Sequence, residues 1–471
     1  MKENSRPVII LAGLGQSRIA VTDESGNKLK NAWPLDLDEK QLMKELQGPL
    51  MKTMLFRKDA GFSDAVENIA RAMGEPLFRK PDGSSKFPLK VQRLSESYAE
   101  SSSEDKKYID KMVPISELCQ AVGEDNIFYF SYNFLGDARQ EAQSLDSFIK
   151  EIKSKKGCDK VSLLSFSIGG ALLIAYFADY AEECDIARVV SVSSTLNGSK
   201  LISALLSGQL NTSDAGSVMS MLGSRADEIA PMISMFPANA IENAASKALR
   251  LLIDNIVKAS SLMWAAVPAE DYPLLSGDLI HDEEFKKECD LLNEAVSTFP
   301  VTVKRLSASG VEFFNICGYG LPLARLVTDS GTDSDSVVDT ASASLGAVLT
   351  DGELDLSKAA LPGSTWFFKN QPHNGFAKND IARALTARLL SDDDFKSVND
   401  DADFPQFNCF RDEKAVSELM QRAREMLDTA DEEKAAIINS ALESAEDFLA
   451  LKIVPECGSA LIEARLKSAM E

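Results

Sequence analysis

The sequence has almost no histidine: His281 and His373 are the only 2 in 471 residues. Its 7 cysteines are scattered, odd in number and never spaced Cys-x-x-Cys. These absences argue against a zinc centre, and no metal or cofactor is expected. Positive charge is scarce too. Against 72 Asp and Glu stand 50 Lys and Arg, a formal charge of −22, which disfavours nucleic-acid backbones and anionic membranes as partners. Membrane insertion is not expected either. The one long charge-free run, Val161 to Ala178, is broken near its middle by Ser162, Ser165, Ser167 and Gly169-Gly170. No internal repeat is present. The opening residues MKENSRPVIILAG enter an apolar run with no leader before it, so a cytoplasmic chain is expected. What remains is a soluble chain long enough for one elaborated domain or two, its oligomeric state left open.

The charge-free run is informative for its interruption. Val161 to Ser165 reads as a short buried strand, and Ala171 onward reads as a helix reaching Tyr180. Between them Ser165-Phe166-Ser167-Ile168-Gly169 has the composition of a sharp strand-to-helix turn of the Gly-x-Ser-x-Gly kind. Small flanking residues are needed where strand and helix backbones nearly touch. Gly169 and Gly170 meet that need, and Ser165 stands where glycine is usual. Such a turn lifts the Ser167 hydroxyl out of the sheet and leaves helix N-terminal amides facing it. A chance Ser-x-Ser-x-Gly in an ordinary turn gives the same string, so other residues must decide.

The remaining chain alternates strand and helix. Pro7 to Leu11 reads as a strand covered on both faces, ending in Ala12-Gly13-Leu14-Gly15-Gln16-Ser17. A dinucleotide loop would need a third glycine where Arg18 stands, and no helix pattern follows. A loop supplying a second oxyanion amide fits better, from Leu14 or Gly15, opposite Ile168. Asp38 to Leu46 and Ser63 to Met73 read as amphipathic helices, and Ser95 to Lys107 as a polar surface loop. Strands are expected at Asn126–Ser131, Ala187–Ser193, Val311–Cys317 and Thr365–Lys369, the last of them, with a helix at Asp137–Ile152. This alternation implies a mostly parallel sheet with helices on both faces. Residues 201–300 interrupt it with Met-, Ala- and Leu-rich segments (Val218–Leu222, Ile229–Phe236, Ser260–Trp264), the composition of a helical cap.

A serine hydroxyl needs a neighbouring imidazole to become a nucleophile, and the imidazole needs a carboxylate to orient it. His281 sits in the charged stretch Asp278–Glu284, whereas His373 follows the last strand directly, beside Asn374-Gly375. Among the acids of the loop Asp329–Asp339, Asp335 is chosen, with Asp333 as runner-up and Asp329 and Asp339 as surface groups. The order Ser167, Asp335, His373 is the serine–acid–histidine order of sheet-based hydrolases.

The chain resembles α/β-hydrolases of the lipase kind, and is more narrowly similar to the lecithin:cholesterol acyltransferase-like group. Pro7–Gly15, Trp33-Pro-Leu-Asp36, the turn at Ser167, Ser194-Thr-Leu-Asn-Gly-Ser199 and the stretch from Gly310 to Pro322 carry the likeness. Departures are Ser165 for the first glycine, Ala12-Gly13 for proline-glycine, and Asp-Ser-Val-Val at residues 335–338 for the usual Asp-Gly-Thr-Val. The resemblance implies an α/β-hydrolase fold, with the core at 1–200 and 301–395, a helical cap at 201–300 and a helical C-terminal extension at 396–471. It implies a serine esterase or lipase acting on an ester or lipid with an apolar acyl chain. Acyl transfer to an alcohol and non-catalytic binding of a lipid or partner are the alternatives.

Overall fold

Seven short runs pair side by side, and every pairing is parallel. They are β1 (Val8–Leu11), β2 (Ile127–Phe130), β3 (Val161–Phe166), β4 (Ile186–Val192), β5 (Glu312–Tyr319), β6 (Thr365–Lys369) and β7 (Phe407–Cys409). Across the sheet they stand in the order β7-β6-β5-β4-β3-β1-β2. The computed structural model describes residues 6–35, 39–94, 96–183, 185–209, 237–323, 331–427, 429–450 and 459–470.

Parallel strands with helices on both faces must be apolar on both faces. β1 shows this plainly: Ile9 and Leu11 join one buried cluster and Val8 and Ile10 the other. The first cluster takes in helices Ala138–Lys156, Gly169–Tyr180 and Glu283–Ala308; the second takes in Ser103–Met112, Ser116–Val122 and Asp380–Ser391. The charge-free run is explained the same way. Every residue from Gly169 to Phe177 is buried, so this helix is apolar all round because it is enclosed, not because it meets lipid. No helix among the described residues is long and apolar enough to cross a membrane. This is the α/β-hydrolase layout, with the serine turn at the carboxyl end of β3.

The chain leaves β1 for β2 on one side, then returns to place β3 on the other. Loops at the carboxyl ends of strands diverge at such a reversal and leave a crevice. The loop after β1 and the turn after β3 flank that crevice.

Several expectations need correcting. The polar stretch before Lys107 is not all loop: the Ser102 side chain accepts from the Asp105 amide and starts the helix Ser103–Met112. Serine and acids there are a cap and a first turn, not disorder. Thr365–Lys369 is not the last strand. Phe367, Phe368 and Lys369 pair with Phe407, Asn408 and Cys409, so the sheet continues past residue 395. Three residues of mixed type carry no strand signal of their own. The expected helix at Asp38–Leu46 runs instead over Glu39–Phe56, through Pro49. Segments Val218–Leu222 and Ile229–Phe236 lie outside the described residues. Further along, Ala238–Asn255 packs on Phe62–Gly74, so closely that a Cβ on Gly74 would come 2.7 Å from Leu252 Cδ2. The helices Glu413–Leu427, Glu432–Ala450 and Ser459–Met470 share an apolar cluster of their own, with Val416, Ile438, Leu442 and Leu466 at its centre.

Candidate active site

Ser167 follows β3 directly with φ of 53°, a left-handed conformation that non-glycine residues rarely adopt. Such strain persists only where the surroundings over-determine it. Here the clasp is explicit: the Ser167 carbonyl accepts from the amides of Gly170 (3.0 Å) and Thr195 (2.9 Å). Gly169 is obligatory, because a Cβ there would lie 2.8 Å from the Leu11 carbonyl oxygen. Ser165 fits in place of glycine because its hydroxyl turns into the core and meets Ser194 Oγ at 3.1 Å.

The loop after β1 lies against the serine: a Cβ on Gly13 would come within 3.3 Å of Ser167 Cβ. Four side chains hold this loop. Tyr132 Oη donates to the Ala12 carbonyl (2.6 Å), Trp33 Nε1 to Gly15 (2.6 Å) and Tyr129 Oη to Gln16 (2.5 Å). Gln16 itself accepts from the Gly13 amide (2.7 Å) and donates to the Met112 carbonyl (3.0 Å). The Gly13 amide is therefore committed to Gln16. Leu14, its side chain 52 % exposed, borders the serine on this side, and Ile168 begins the helix on the other.

His373 and Asp335 arrive from the ends of β6 and β5. His373 Nε2 lies 2.9 Å from Ser167 Oγ, and Nδ1 lies 2.7 Å from Asp335 Oδ2. Asp335 is 1 % exposed, and its other oxygen accepts from the amides of Val337 (3.0 Å) and Val338 (2.8 Å). The two loops are also tied by main chain, the His373 amide donating to the Asp335 carbonyl at 2.8 Å. Gly318 permits this closure: a Cβ there would sit 2.6 Å from the Gln371 carbonyl and 2.7 Å from Asp335 Cβ. An ionised carboxylate only accepts, so Nδ1 carries the proton and the Nε2 lone pair faces the serine hydroxyl. Burial works against a charged imidazole, but the charge and hydrogen bond of Asp335 outweigh it, and the His373 pKa lies above its ordinary 6.5.

The other candidates lie elsewhere. Asp333 accepts from the Gly320 amide at 2.7 Å, and burial raises its pKa. Asp339 is buried, not a surface group: it takes the Lys200 amide, and burial pushes its pKa up to about 6. Asp329 lies outside the described residues, and His281 is exposed. Among the described residues three carboxylates approach one another closely, Asp146, Glu183 and Asp185, within 4.8 Å. Asp185 precedes β4, at the opposite end of the sheet from Ser167, and Lys150 and Lys153 already pair with the three.

A cavity of about 500 Å³ opens over Ser167. Leu164, Phe166, Val192 and Phe376 give it an apolar side, and a roof of residues within 111–118 and 377–386 lines another part. Among the described residues, none of 201–300 lines it. Sequence reasoning missed Gln16, Tyr132, Thr195 and Gly318, as well as this roof. Trp33, Thr195 and Gly318 had a signal, since each lies in a stretch resembling the family.

No protein-family model matches the chain, and neither does any curated protein. Solved structures similar to it include the mature Bacillus licheniformis lipase BlEst2, at 12% identity, covering 64% of this chain and 89% of that one, TM-score 0.32. The Tle4–Tli4 complex follows at 14% identity, covering 82% and 97%, TM-score 0.35. The Legionella pneumophila phospholipase PlaB with thio-NAD is similar at 14% identity, covering 53% and 41%, TM-score 0.27.

Proposed function

We propose that this protein is a serine hydrolase cleaving carboxylic esters with an apolar acyl chain, through an acyl-enzyme. One observation carries the reading: a hydroxyl on a strained turn, 2.9 Å from an imidazole that is itself 2.7 Å from a buried carboxylate, at the floor of an apolar cavity. Ser167 Oγ attacks the ester carbonyl while His373 Nε2 takes its proton. Asp335 stabilises the imidazolium and keeps Nδ1 protonated. The amides of Ile168 and Leu14 receive the oxyanion, and the Gln16 clamp keeps the loop from relaxing away as charge develops. His373 then passes the proton to the leaving alcohol. Water, activated by the same imidazole, releases the acid and regenerates Ser167. Of residues 201–300, expected as a cap, helix Glu283–Ala308 joins instead the cluster on one face of the sheet, and only the stretch before it is left, in this reading, as a cap.

A fluorophosphonate probe tests the reading without assuming a substrate. Wild type is expected to label and Ser167→Ala is not. Failure of the folded wild type to label would leave a fold without an activated serine, which is the binding-protein alternative.

A further inference from the structure

The carboxyl end of the sheet holds the serine; the other end holds a second cluster with no part in that chemistry. One oxygen each from Asp146, Glu183 and Asp185 lies within 4.8 Å of the other two. Oxygens bound to one calcium ion at about 2.3–2.6 Å are at most roughly 5 Å apart, so the three are already spaced as ligands. Three chain segments bring them there: helix Ala138–Lys156, the turn after helix Gly169–Tyr180, and the residue before β4. Asp146 and Asp185 are buried, while Glu183 reaches solvent and leaves a way in.

Ion pairs alone do not satisfy this cluster. Lys150 Nζ meets Asp146 Oδ2 (2.9 Å) and Glu183 Oε2 (2.8 Å), and Lys153 pairs with Asp185. Two lysines against three carboxylates leave one negative charge over. Oδ1 of Asp146 is buried and has no hydrogen-bond partner among the described residues. The same holds for Tyr176 Oη, on a residue only 1 % exposed. That ring stacks on Tyr180 at 5.4 Å, and Lys150 Nζ stands 5.9 Å from the Tyr180 ring, so the hydroxyl belongs to the same neighbourhood. Burial, then the charges of Asp185, Asp146 and Glu183, hold the Tyr176 pKa above its ordinary 10. A carboxylate oxygen and a hydroxyl left buried and unbonded are costly unless something bonds both. One water would bond both but would leave the charge. A hydrated cation removes it as well, the metal taking the carboxylates and one of its waters accepting from Tyr176. The cluster also lies past the last turn of Gly169–Tyr180, the negative end of a helix with no basic residue there.

We infer that Asp146, Glu183 and Asp185 bind a divalent cation of the calcium type, and that Lys150 is the group it displaces. The Lys150 side chain is 50 % exposed and can swing into water, whereas the less exposed Lys153 stays on Asp185. A divalent ion in place of Lys150 cancels the remaining charge. It would tie two helices to the start of β4 and take no part in ester cleavage, so this inference stands apart from the esterase reading.

Terbium, which takes the same oxygen ligands as calcium and emits when a nearby tyrosine is excited, is the probe. The full chain is expected to give saturable emission that calcium chloride suppresses, and calcium at about 5 mM should raise its unfolding temperature by about 2 °C or more. Asp146→Asn should weaken calcium binding at least about tenfold. Lys150→Gln should strengthen it at least about threefold, because the competing ammonium is gone. With ion pairs alone the same variant would lose stability and gain nothing from calcium. Glu425→Gln, exposed on a helix of the separate C-terminal cluster, should leave binding within about twofold of wild type. Absence of saturable binding, or binding that Asp146→Asn and Glu425→Gln alter equally, overturns the site and leaves only adventitious ions on an acidic surface. Should Asp146→Asn fail to fold, Lys150→Gln decides, and calcium bound no more tightly than by wild type overturns the inference.

Discussion

The floor and the roof of the cavity are built by different means. The floor is main chain under constraint: Ser167 at φ of 53°, Gly169 against the Leu11 carbonyl, Gly318 under the acid and histidine loops. The roof is side chains from two helical segments distant in sequence, joined by contacts such as Arg383 to Glu117. Constraints on a turn restrict residue type locally and leave a readable string. A roof made of surface helices tolerates many residues at each position and leaves none. Chemistry should therefore fail abruptly when the floor is altered, and selectivity should drift when the roof is.

The largest effect is expected at the floor. Ser167→Ala or His373→Ala should lower kcat for an activated ester by roughly 10⁴- to 10⁶-fold, whereas His281→Ala, altering an exposed ring, should be silent. Loss of activity in His281→Ala with retention in His373→Ala would reverse the assignment. Asp335→Asn should cost roughly 10⁴-fold, since an amide presents a donor to Nδ1 and favours the wrong tautomer. Asp333→Asn, altering a carboxylate that bonds the Gly320 amide and not the imidazole, should cost far less.

The pH profile sharpens the same contrast. Because Asp335 holds the His373 pKa above 6.5, kcat/KM should fall on the acid side with a midpoint above that value, as the base becomes protonated. Raising the pKa extends the protonated form upward in pH, so activity appears only above the raised value. In Asp335→Asn the surviving activity should have its acid limb displaced downward, because burial then acts unopposed. An unmoved limb would mean that His373 is not the titrating base.

Gln16 stands between floor and roof, since its side chain bonds Gly13 on one and Met112 on the other. Gln16→Ala should lower kcat about 10- to 100-fold with little change in KM, because the bonded loop matters most when the oxyanion forms. Gln16→Glu, which keeps the acceptor for Gly13 but not the donor to Met112, should recover part of kcat. A change confined to KM would place Gln16 in substrate binding instead.

These contrasts also mark what the residues disclose in advance. The strand–helix alternation and the serine turn were legible because period, small residues and a charge-free run each record a burial or a close approach. With two histidines to choose from, the one that meets Ser167 was nearly decided by position, one following a strand and the other amid carboxylates. The acid needed more, since Asp333, Asp335 and Asp339 share one loop and only the fold shows which reaches the imidazole. The roles of Gln16, Tyr132 and Thr195 were not legible, because Gln16 and Tyr132 bond main-chain atoms that another polar side chain could have met, and Thr195 acts through its own main-chain amide. β7 was hidden for a different reason. Phe407–Cys409 is too short to show a period, and it is a strand only because β6 offers it an edge.

That hidden strand gives the contrast its smallest expected effect on activity, through two truncations that a boundary drawn by composition would treat alike. Ending the chain after Phe395 removes β7, the Phe404 carbonyl that accepts from the buried Trp366 Nε1 (2.9 Å), and the Phe410 amide bonded to Lys369. It exposes the edge of β6 four residues before His373. That protein should lose several kcal/mol of stability, on the order expected for stripping an edge strand and orphaning a buried donor, and its activity should fall with it. Ending the chain after Asp412 removes instead the helices whose apolar side chains cluster with one another. Arg411 then loses its bonds to Glu413 and the Leu449 carbonyl, but Asp380 stays within 3.9 Å of it. Here ester turnover per folded molecule should match the full chain within about twofold, since none of the described residues removed lines the cavity or bonds a residue that does. Thermal unfolding followed beside turnover separates the outcomes: a shorter protein that melts like the longer one yet loses turnover would show that the three helices reach the site by a route other than the sheet.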